Sequence, residues 1–354
     1  MSEINQLLEK AVKQNASDLF LTVGKPPTVK IDGRLELLGE KALLPADTER
    51  LVQELFEKKL HYDEFVKEGE KDFSISLPGV GRFRVAAYTQ RGTRAAAVRI
   101  LRFNQPDPDE LGIPGTVLDF HTRTKGLILV TGPTGSGKST TLSAIINLIN
   151  QNRACHILTL EDPIEYLHSH KKSLVDQREI GMDTRDYGKA LRSAMRQAPD
   201  VILVGEMRDY ETISIALTAA ETGHLVLSTV HTVGAAKTID RIIDVFPANQ
   251  QQQVRVQLST VLHSVVSQQL LPSGQDGRVA AFEIMIVNAA IRNMIRDGKI
   301  PQIDAVIQTG RSQGMVGMDI SLANLVKEGK ISREDAMIYC VNPEVINRLL
   351  PEKV

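Results

Sequence analysis

Gly132-Pro133-Thr134-Gly135-Ser136-Gly137-Lys138-Ser139-Thr140 fits the pattern G-x-x-x-x-G-K-[ST], and the residues on either side supply the context that pattern demands. The apolar run Gly126–Thr131 reads as a strand ending at the first glycine. After Thr140, Leu142, Ile145, Ile146 and Ile149 fall on one face of a helix. Glycines at 132, 135 and 137 let the backbone turn tightly and aim its N–H groups at phosphate oxygens, while the helix N-terminus adds partial positive charge. Lys138 is placed to bridge β- and γ-phosphates, and the Ser139 hydroxyl to coordinate Mg2+. Gly132, Thr134, Gly135, Ser136, Gly137, Lys138, Ser139 and Thr140 are therefore the expected binding residues for ATP.

Composition sets the outer bounds. A chain of 354 residues is long enough for about two domains. Its net charge of −1 gives no global basic footprint, so nucleic acid is not an expected partner. The lack of tryptophan and the few aromatics also argue against base-stacking platforms. Cys155 and Cys340 lie far apart and leave no second pair for a zinc site, which reads as reduced thiols in a cytosolic protein. Met1-Ser-Glu-Ile-Asn-Gln6 is polar and acidic, unlike a signal peptide, and no apolar run approaches the ~20 residues of a membrane span. Membrane association is expected through partners only.

Working outward from the cradle, the first hundred residues read as a small α+β domain. Ile4, Leu7, Leu8, Ala11 and Val12 recur at helical spacing, and Leu19–Val23 reads as a strand. Thr28–Ile31 and Arg34–Leu38 flank Asp32-Gly33, a hairpin signal, because Asp-Gly readily adopts positive φ. A helix is expected over 47–59, with antiparallel strands at Asp72–Leu77, Gly81–Tyr88 and Ala95–Leu101. Turn formers cluster from Phe103 through Gly115, so residues 104–116 are taken as the linker between a domain 1–103 and a domain 117–354. Beyond it, apolar runs alternate with helical stretches, the pattern of a mostly parallel sheet wrapped by helices, with strands at 126–131, 157–160, 201–204, 225–229 and 279–284. From about Ala289 the chain is helical with breaks, and Ser332-Arg-Glu-Asp335 is a capping box.

Ligands of such sheets gather at the carboxyl ends of the strands. Three further strand ends carry ionisable residues. Glu161 follows Ile157–Leu160 and is suited to polarise an attacking water or to hold Mg2+ through water. Glu206 follows Val201–Val204 in the place where a Walker B strand usually carries Asp, so Glu206 is the second expected metal residue with Ser139. His231 follows Leu225–Thr229, with His224 before that strand; a histidine here can hydrogen-bond a γ-phosphate and sense its loss.

Thr159-Leu-Glu-Asp-Pro-Ile-Glu165, Leu191-Arg-Ser-Ala-Met-Arg196 with Pro199-Asp200, Gly205-Glu-Met-Arg-Asp209, and Thr222-Gly-His-Leu-Val226 with Thr229-Val-His-Thr232 resemble the Asp box, Walker B and His box of secretion and pilus ATPases. Ser17-Asp-Leu19, Gly81-Arg-Phe-Arg-Val85, Asp240-Arg241 and Ala290-Ile-Arg-Asn-Met-Ile-Arg-Asp297 extend the resemblance over nearly the whole chain, toward the type IV pilus retraction motors. The resemblance implies an α/β fold with a RecA-like P-loop ATPase core and a smaller N-terminal PAS-like α+β domain. It implies a homohexameric ring that hydrolyses ATP with Mg2+ and drives pilin depolymerisation and twitching motility. The ring would work at the cytoplasmic face of the inner membrane against a pilus platform protein. It further implies that Glu161 is the general base, that Glu206 supports Mg2+, and that Arg84 and Arg99 of the small domain reach phosphates bound between subunits. Arg82, Arg91, Arg94 and Arg102 fit that role less well. Arg192, Arg196 and Arg208 are secondary phosphate or interface candidates.

The chain departs from the family pattern at Phe20, where a histidine is usual, and at Ala198, which removes a carboxylate near the Walker B strand. Met294 and Asp297 replace residues of similar volume and charge in the C-terminal motif. There, Ile291, Met294 and Ile295 are expected to be buried and Arg292, Asn293 and Arg296 to face outward. Assembly and secretion ATPases of the superfamily usually carry a tetracysteine element, which two cysteines cannot build. The accessory retraction paralogue shares the same boxes. A DNA-translocating RecA-like ATPase is disfavoured by the near-neutral charge.

Overall fold

The computed structural model describes residues 2–31, 33–56, 59–101, 107–274 and 277–351, with side-chain surroundings for all of these except residues 59 and 60. The chain divides into two compact units: residues 1–104 with 163–167, and residues 105–162 with 168–354. The described part of the expected linker, from Asp107 on, is counted with the second unit; its first residues, like Asp32 and Arg102, lie outside the described ones.

The first unit contains α1 (Glu3–Lys13), β1 (Asp18–Leu21), β2 (Thr28–Ile31), β3 (Arg34–Leu37), α2 (Pro45–Leu55), α3 (Lys59–Glu68), β4 (Glu70–Leu77), β5 (Gly81–Gln90) and β6 (Thr93–Leu101). Its strands form an antiparallel sheet in the order β3-β2-β1-β6-β5-β4. The helical spacing read in α1 is a buried stripe: Ile4, Leu7, Leu8 and Ala11 enter the core beside Leu51, Leu55, Phe83 and Val98. Alternation along β5 buries Phe83, Val85 and Ala87 and turns Arg82, Arg84 and Ala86 to the other face. The single helix expected over 47–59 is corrected to α2 and α3. Phe56 ends α2 in an extended conformation, and its ring stacks on Phe65 of α3 with centroids 5.5 Å apart. With φ −88° and ψ 116°, Phe56 is already outside the helical region, so α2 ends before it.

The second unit contains α4 (Gly115–Leu118), β7 (Gly126–Thr131), α5 (Lys138–Asn152), β8 (His156–Glu161), β9 (Leu174–Glu179), α6 (Tyr187–Ala194), β10 (Val201–Val204), α7 (Tyr210–Glu221), β11 (Leu225–Val230), α8 (Ala235–Asp244), α9 (Ala248–Val261), β12 (Leu262–Pro272) and β13 (Arg278–Ile286). The helices α10 (Ala289–Arg296), α11 (Ile303–Thr309), α12 (Met318–Lys327), α13 (Arg333–Tyr339) and α14 (Pro343–Leu349) follow. Its sheet runs β13-β12-β7-β11-β10-β8-β9, parallel except for β13. Helices cover both faces, and one strand feeds both cores: Leu127 and Leu129 of β7 join one, Ile128 and Val130 the other. That double burial explains why β7, β10 and β11 read as unbroken apolar runs.

Two strands of this sheet, β9 and β12, were not foreseen. β9 is an edge strand with only two apolar residues, Leu174 and Val175. β12 leaves α9 without an intervening turn residue, so no punctuation marks the change of period. Among the C-terminal helices the capping box holds: Ser332 Oγ accepts the Asp335 N–H at 2.9 Å and opens α13. In α10, Ile291 and Ile295 are buried and Met294 half-buried, while Arg292, Asn293 and Arg296 are exposed.

Candidate active site

The cradle lies between β7 and α5, where its three interior glycines all have positive φ: 142° at Gly132, 79° at Gly135 and 88° at Gly137. For two of them space is as restrictive as angle. A Cβ on Gly132 would lie 2.2 Å from the backbone oxygen of Gln268, and one on Gly137 2.9 Å from the Gln268 side-chain nitrogen. Gly137 is the N-cap of α5, so the first N–H groups of that helix face the loop with no side-chain cap in the way. Lys138, the first residue of α5, is buried, and its ammonium donates to the carbonyls of Gly132 at 3.0 Å and Pro133 at 2.9 Å. Thr134, Gly135 and Ser139 are exposed, Thr140 is half-buried and Ser136 is buried.

Parallel register brings the other strand ends to the same edge. β11 is β7's neighbour, β10 pairs with β11, and β8 with β10, so Thr131, Val230, Val204 and Glu161 end their strands side by side. Gly205 is fixed between two of them: its N–H donates to Leu160 O at 2.7 Å and its carbonyl accepts from Thr229 Oγ1 at 2.6 Å. Glu206 follows directly. Its Oε1 faces both Arg208 Nε and His231 Nε2, the latter at 3.5 Å. Burial, then the charges of Lys138 and Arg208, hold the His231 imidazole below its ordinary pKa, which favours the neutral ring. A cleft of about 350 Å3 opens beside this group, lined by Thr134, Glu206, Arg208, His231 and Arg241.

Glu161 is held by two donors to one oxygen, Thr159 Oγ1 at 2.6 Å and Gln177 Nε2 at 3.1 Å. Gln177 comes from the unforeseen β9, opposite Thr159. Tyr187, also unforeseen, sits at the same corner: a Cβ on Gly205 would meet its hydroxyl at 2.8 Å. Burial and then the charges of Asp162 and Glu161 push the Tyr187 phenol up, keeping it protonated. The third unforeseen residue is Gln268 of β12. Besides bordering both cradle glycines, its Oε1 accepts from Thr141 Oγ1 at 2.8 Å. The sequence signal for β12 was the turn at Pro272-Ser-Gly274 ahead of the expected strand 279–284, a hairpin cue.

Not every histidine and arginine singled out joins this edge. His224 precedes β11 and so lies at the opposite end of that strand from His231; its ring contacts Ala219 O at 2.9 Å and finishes α7. Ala198 likewise precedes β10, at φ 50°, and its carbonyl lies 3.4 Å from the His156 ring. The carboxylate it replaces would therefore belong to the far edge of the sheet, away from the cradle. Arg192 pairs with Glu211 at 2.6 Å. Arg94 lies over the Phe65 ring at 5.3 Å, a structural role within the first unit.

Arg84 and Arg99 belong to the first unit's sheet, where the register places them directly opposite one another on β5 and β6. Each has one acidic neighbour, Asp72 at 3.6 Å from Arg84 and Asp18 at 3.1 Å from Arg99. Both guanidinium groups are exposed.

The oxygen donors present, the exposed Ser139 hydroxyl and the Glu206 carboxylate, are of the hard type that suits Mg2+. The cradle that a Cβ would fill suits a phosphate chain. Among the described residues no helix is long and apolar enough to cross a membrane.

Comparison with known proteins identifies the family. The model of the type II/IV secretion system protein family matches residues 1–333. The type IV pilus retraction ATPase PilT of Pseudomonas aeruginosa is 49% identical over 320 residues, which is 90% of this chain and 93% of that protein. A twitching motility protein of Neisseria gonorrhoeae is 55% identical over 254 residues, 72% of this chain and 68% of that protein. The crystal structure of the pilus retraction motor PilT with bound ADP superposes with a TM-score of 0.91 at 47% identity, covering 98% of this chain and 99% of that one. The chain belongs to the type II/IV secretion system protein family and is a PilT-like ATPase of that family.

Proposed function

We propose that this chain is the motor that retracts type IV pili, hydrolysing ATP in a homohexameric ring at the cytoplasmic face of the inner membrane. The observation that carries the reading is the convergence of the glycine cradle with Glu161, Glu206 and His231 at the ends of four neighbouring parallel strands. The chain's alignment with retraction ATPases over most of its length supports the same reading.

In this reading, Gly132, Thr134, Gly135, Ser136, Gly137 and Thr140 wrap the phosphates. Lys138 exchanges its two loop carbonyls for β- and γ-phosphate oxygens. Ser139 and Glu206 would hold Mg2+, which would supply charge neutralisation at the phosphates. Glu161, oriented by Thr159 and Gln177, takes a proton from the attacking water. As the new oxygen–phosphorus bond forms, the bond from the γ-phosphorus to the bridging oxygen breaks and ADP leaves with its electron pair. His231, neutral, offers a ring N–H to the γ-phosphate and responds to its departure. Arg84 and Arg99 of a neighbouring subunit supply the remaining positive charge. Ring closure and reopening act on an inner-membrane platform protein of the pilus machinery, and no nucleic acid takes part.

Deletion of the gene with a count of surface pili tests the reading. Surplus pili and lost twitching are expected; absent pili would overturn retraction in favour of assembly.

A further inference from the structure

Among the helices of the second unit that begin without a side-chain cap of their own are α8 and α12. The N-cap of α8 is Gly234 and that of α12 is Gly317, and glycine has no oxygen to offer the first N–H groups. Three N–H groups at these starts are nevertheless satisfied, by side chains from the sheet. Gly234 N–H donates to Ser267 Oγ at 2.9 Å, Ala235 N–H to Glu283 Oε1 at 2.7 Å, and Met318 N–H to Glu283 Oε2 at 3.4 Å. One carboxylate thus serves two helix starts that are far apart in sequence.

Its position relates this clamp to the cradle. Glu283 of β13 is directly opposite Ser267 of β12, and Ser267 is opposite Thr131 of β7, the residue before Gly132. α8 starts four residues after His231, the residue facing Glu206. α12 opens the C-terminal core, in which Met318, Leu322 and Ala323 pack with Leu271 and Ala281. Glu283 is only 8% exposed, and burying a carboxylate is costly unless its oxygens are occupied. A local Ser or Asp at each N-cap would satisfy each helix separately without that cost; what the shared carboxylate adds is a mechanical tie between them. A cavity of about 480 Å3 borders the tie, lined by Gly234, Lys237, Glu283, Gly317 and Asp319, so both helix starts adjoin open space. Burial pushes the Glu283 carboxyl above the ordinary carboxylate range against the opposing pull of its two N–H donors, which makes the clamp sensitive to loss of either one.

We infer that Glu283, with Ser267, is a positioning residue for ATP hydrolysis that holds the His231–Gly234 loop to the sheet and passes its nucleotide-dependent movement to α12 and the C-terminal helices. The inference rests on the proposed reading of His231 as a γ-phosphate sensor. Hydrogen exchange on the full chain, with and without a non-hydrolysable ATP analogue, tests it beside steady-state kinetics. In the wild type the analogue should slow exchange at 132–140, 231–236 and 317–320. Glu283→Gln keeps the volume but turns an amide N–H2 toward one of the two donors. It should retain the first two responses, lose the third, and lower kcat about 10-fold with KM for ATP changed less than about 2-fold. A purely structural role would lower thermal stability and leave the 317–320 response coupled to the others. A wild-type response at 231–236 without one at 317–320 overturns the inference, as does a Glu283→Gln protein with normal kcat and an intact third response. A wild type protected at 132–140 but not at 231–236 overturns the sensor reading and the coupling with it. If Glu283→Gln does not fold, Ser267→Ala decides, because it keeps the carboxylate and both of its helices. It should lower kcat about 3-fold and roughly halve the protection gained at 317–320, and a wild-type response there overturns the inference.

Discussion

In the second unit's sheet, the groups proposed to meet phosphate are largely backbone N–H groups, held by glycines that no other residue can replace without meeting Gln268 or straining φ. In the first unit's sheet they are two guanidinium groups, held only by the cross-strand register of β5 and β6. The first arrangement draws its charge from a helix terminus and one buried lysine, and is rigid. The second sets two like charges directly opposite each other, an unfavourable pairing in a sheet, with one carboxylate beside each as partial compensation. Exposed ion pairs of that kind contribute little, so an incoming anion competes with Asp18 and Asp72 at small cost. The geometry is strict in one sheet, and the charge in the other is exposed and exchangeable.

The largest effect expected from breaking this contrast is at Lys138. Lys138→Ala should lower phosphate release by at least about 10³-fold while circular dichroism stays unchanged, because it removes the cation at the β- and γ-phosphates and leaves the glycine loop intact. Turnover at the wild-type rate would remove the cradle from the chemistry. Glu161→Gln should cost about 10²- to 10³-fold in kcat with ATP still bound, since the amide keeps the bonds from Thr159 and Gln177 but cannot accept a proton. Glu206→Gln should instead weaken the dependence of rate on Mg2+. Normal hydrolysis by Glu161→Gln beside a dead Glu206→Gln with unchanged Mg2+ response would reverse the two roles.

Arg84→Ala and Arg99→Ala should each cost about 10²-fold. They also test the contrast most directly, through mixing. Rings mixed from Lys138→Ala and Arg99→Ala subunits should regain activity wherever an intact cradle meets intact arginines. Recovery no greater than the sum of the separate mutants, in rings shown by label transfer to be mixed, would place both halves within one subunit.

The smallest effect expected concerns the stability of the second unit's sheet against acid. His263 of β12 lies edge-on to Phe120 at 5.4 Å, and burial and then the charge of Arg123 lower its pKa to about 4. The unfolded chain binds that proton first, near its ordinary 6.5. The stabilisation is therefore complete above that value and is lost as pH falls toward 4. After discounting for partial exposure it amounts to about 2 kcal/mol. Urea midpoints at about pH 7 and about pH 4.5 should show a smaller acid loss in His263→Leu than in the wild type. Equal losses would remove His263 from the account.

Much of the site was readable in the residues because its chemistry is local. Gly132 to Thr140 need only their own backbone and the start of α5, and Glu161, Glu206 and His231 each lie at or within two residues of the end of an apolar strand. Arg84 and Arg99 were legible only through the family resemblance, and the register of β5 with β6 then set them opposite one another. What escaped notice arrives from a distance. Gln268 reaches the cradle across 127 positions to meet Thr141, and Gln177 reaches Glu161 across 16. β12 was hidden because α9 runs into it without a glycine or proline, and β9 because an edge strand has no need of an apolar pattern.

The sequence by itself determined which backbone is able to turn around a phosphate, which strand ends carry acids, and which residues fill each core, since periodicity and conformational freedom are properties of neighbouring residues. The tertiary structure alone decided which groups orient the others. Glu283 caps α8 and α12 in place of the side chains that Gly234 and Gly317 lack. That assignment depends on the register of β12 with β7 and β13, and register is settled by packing over the whole sheet.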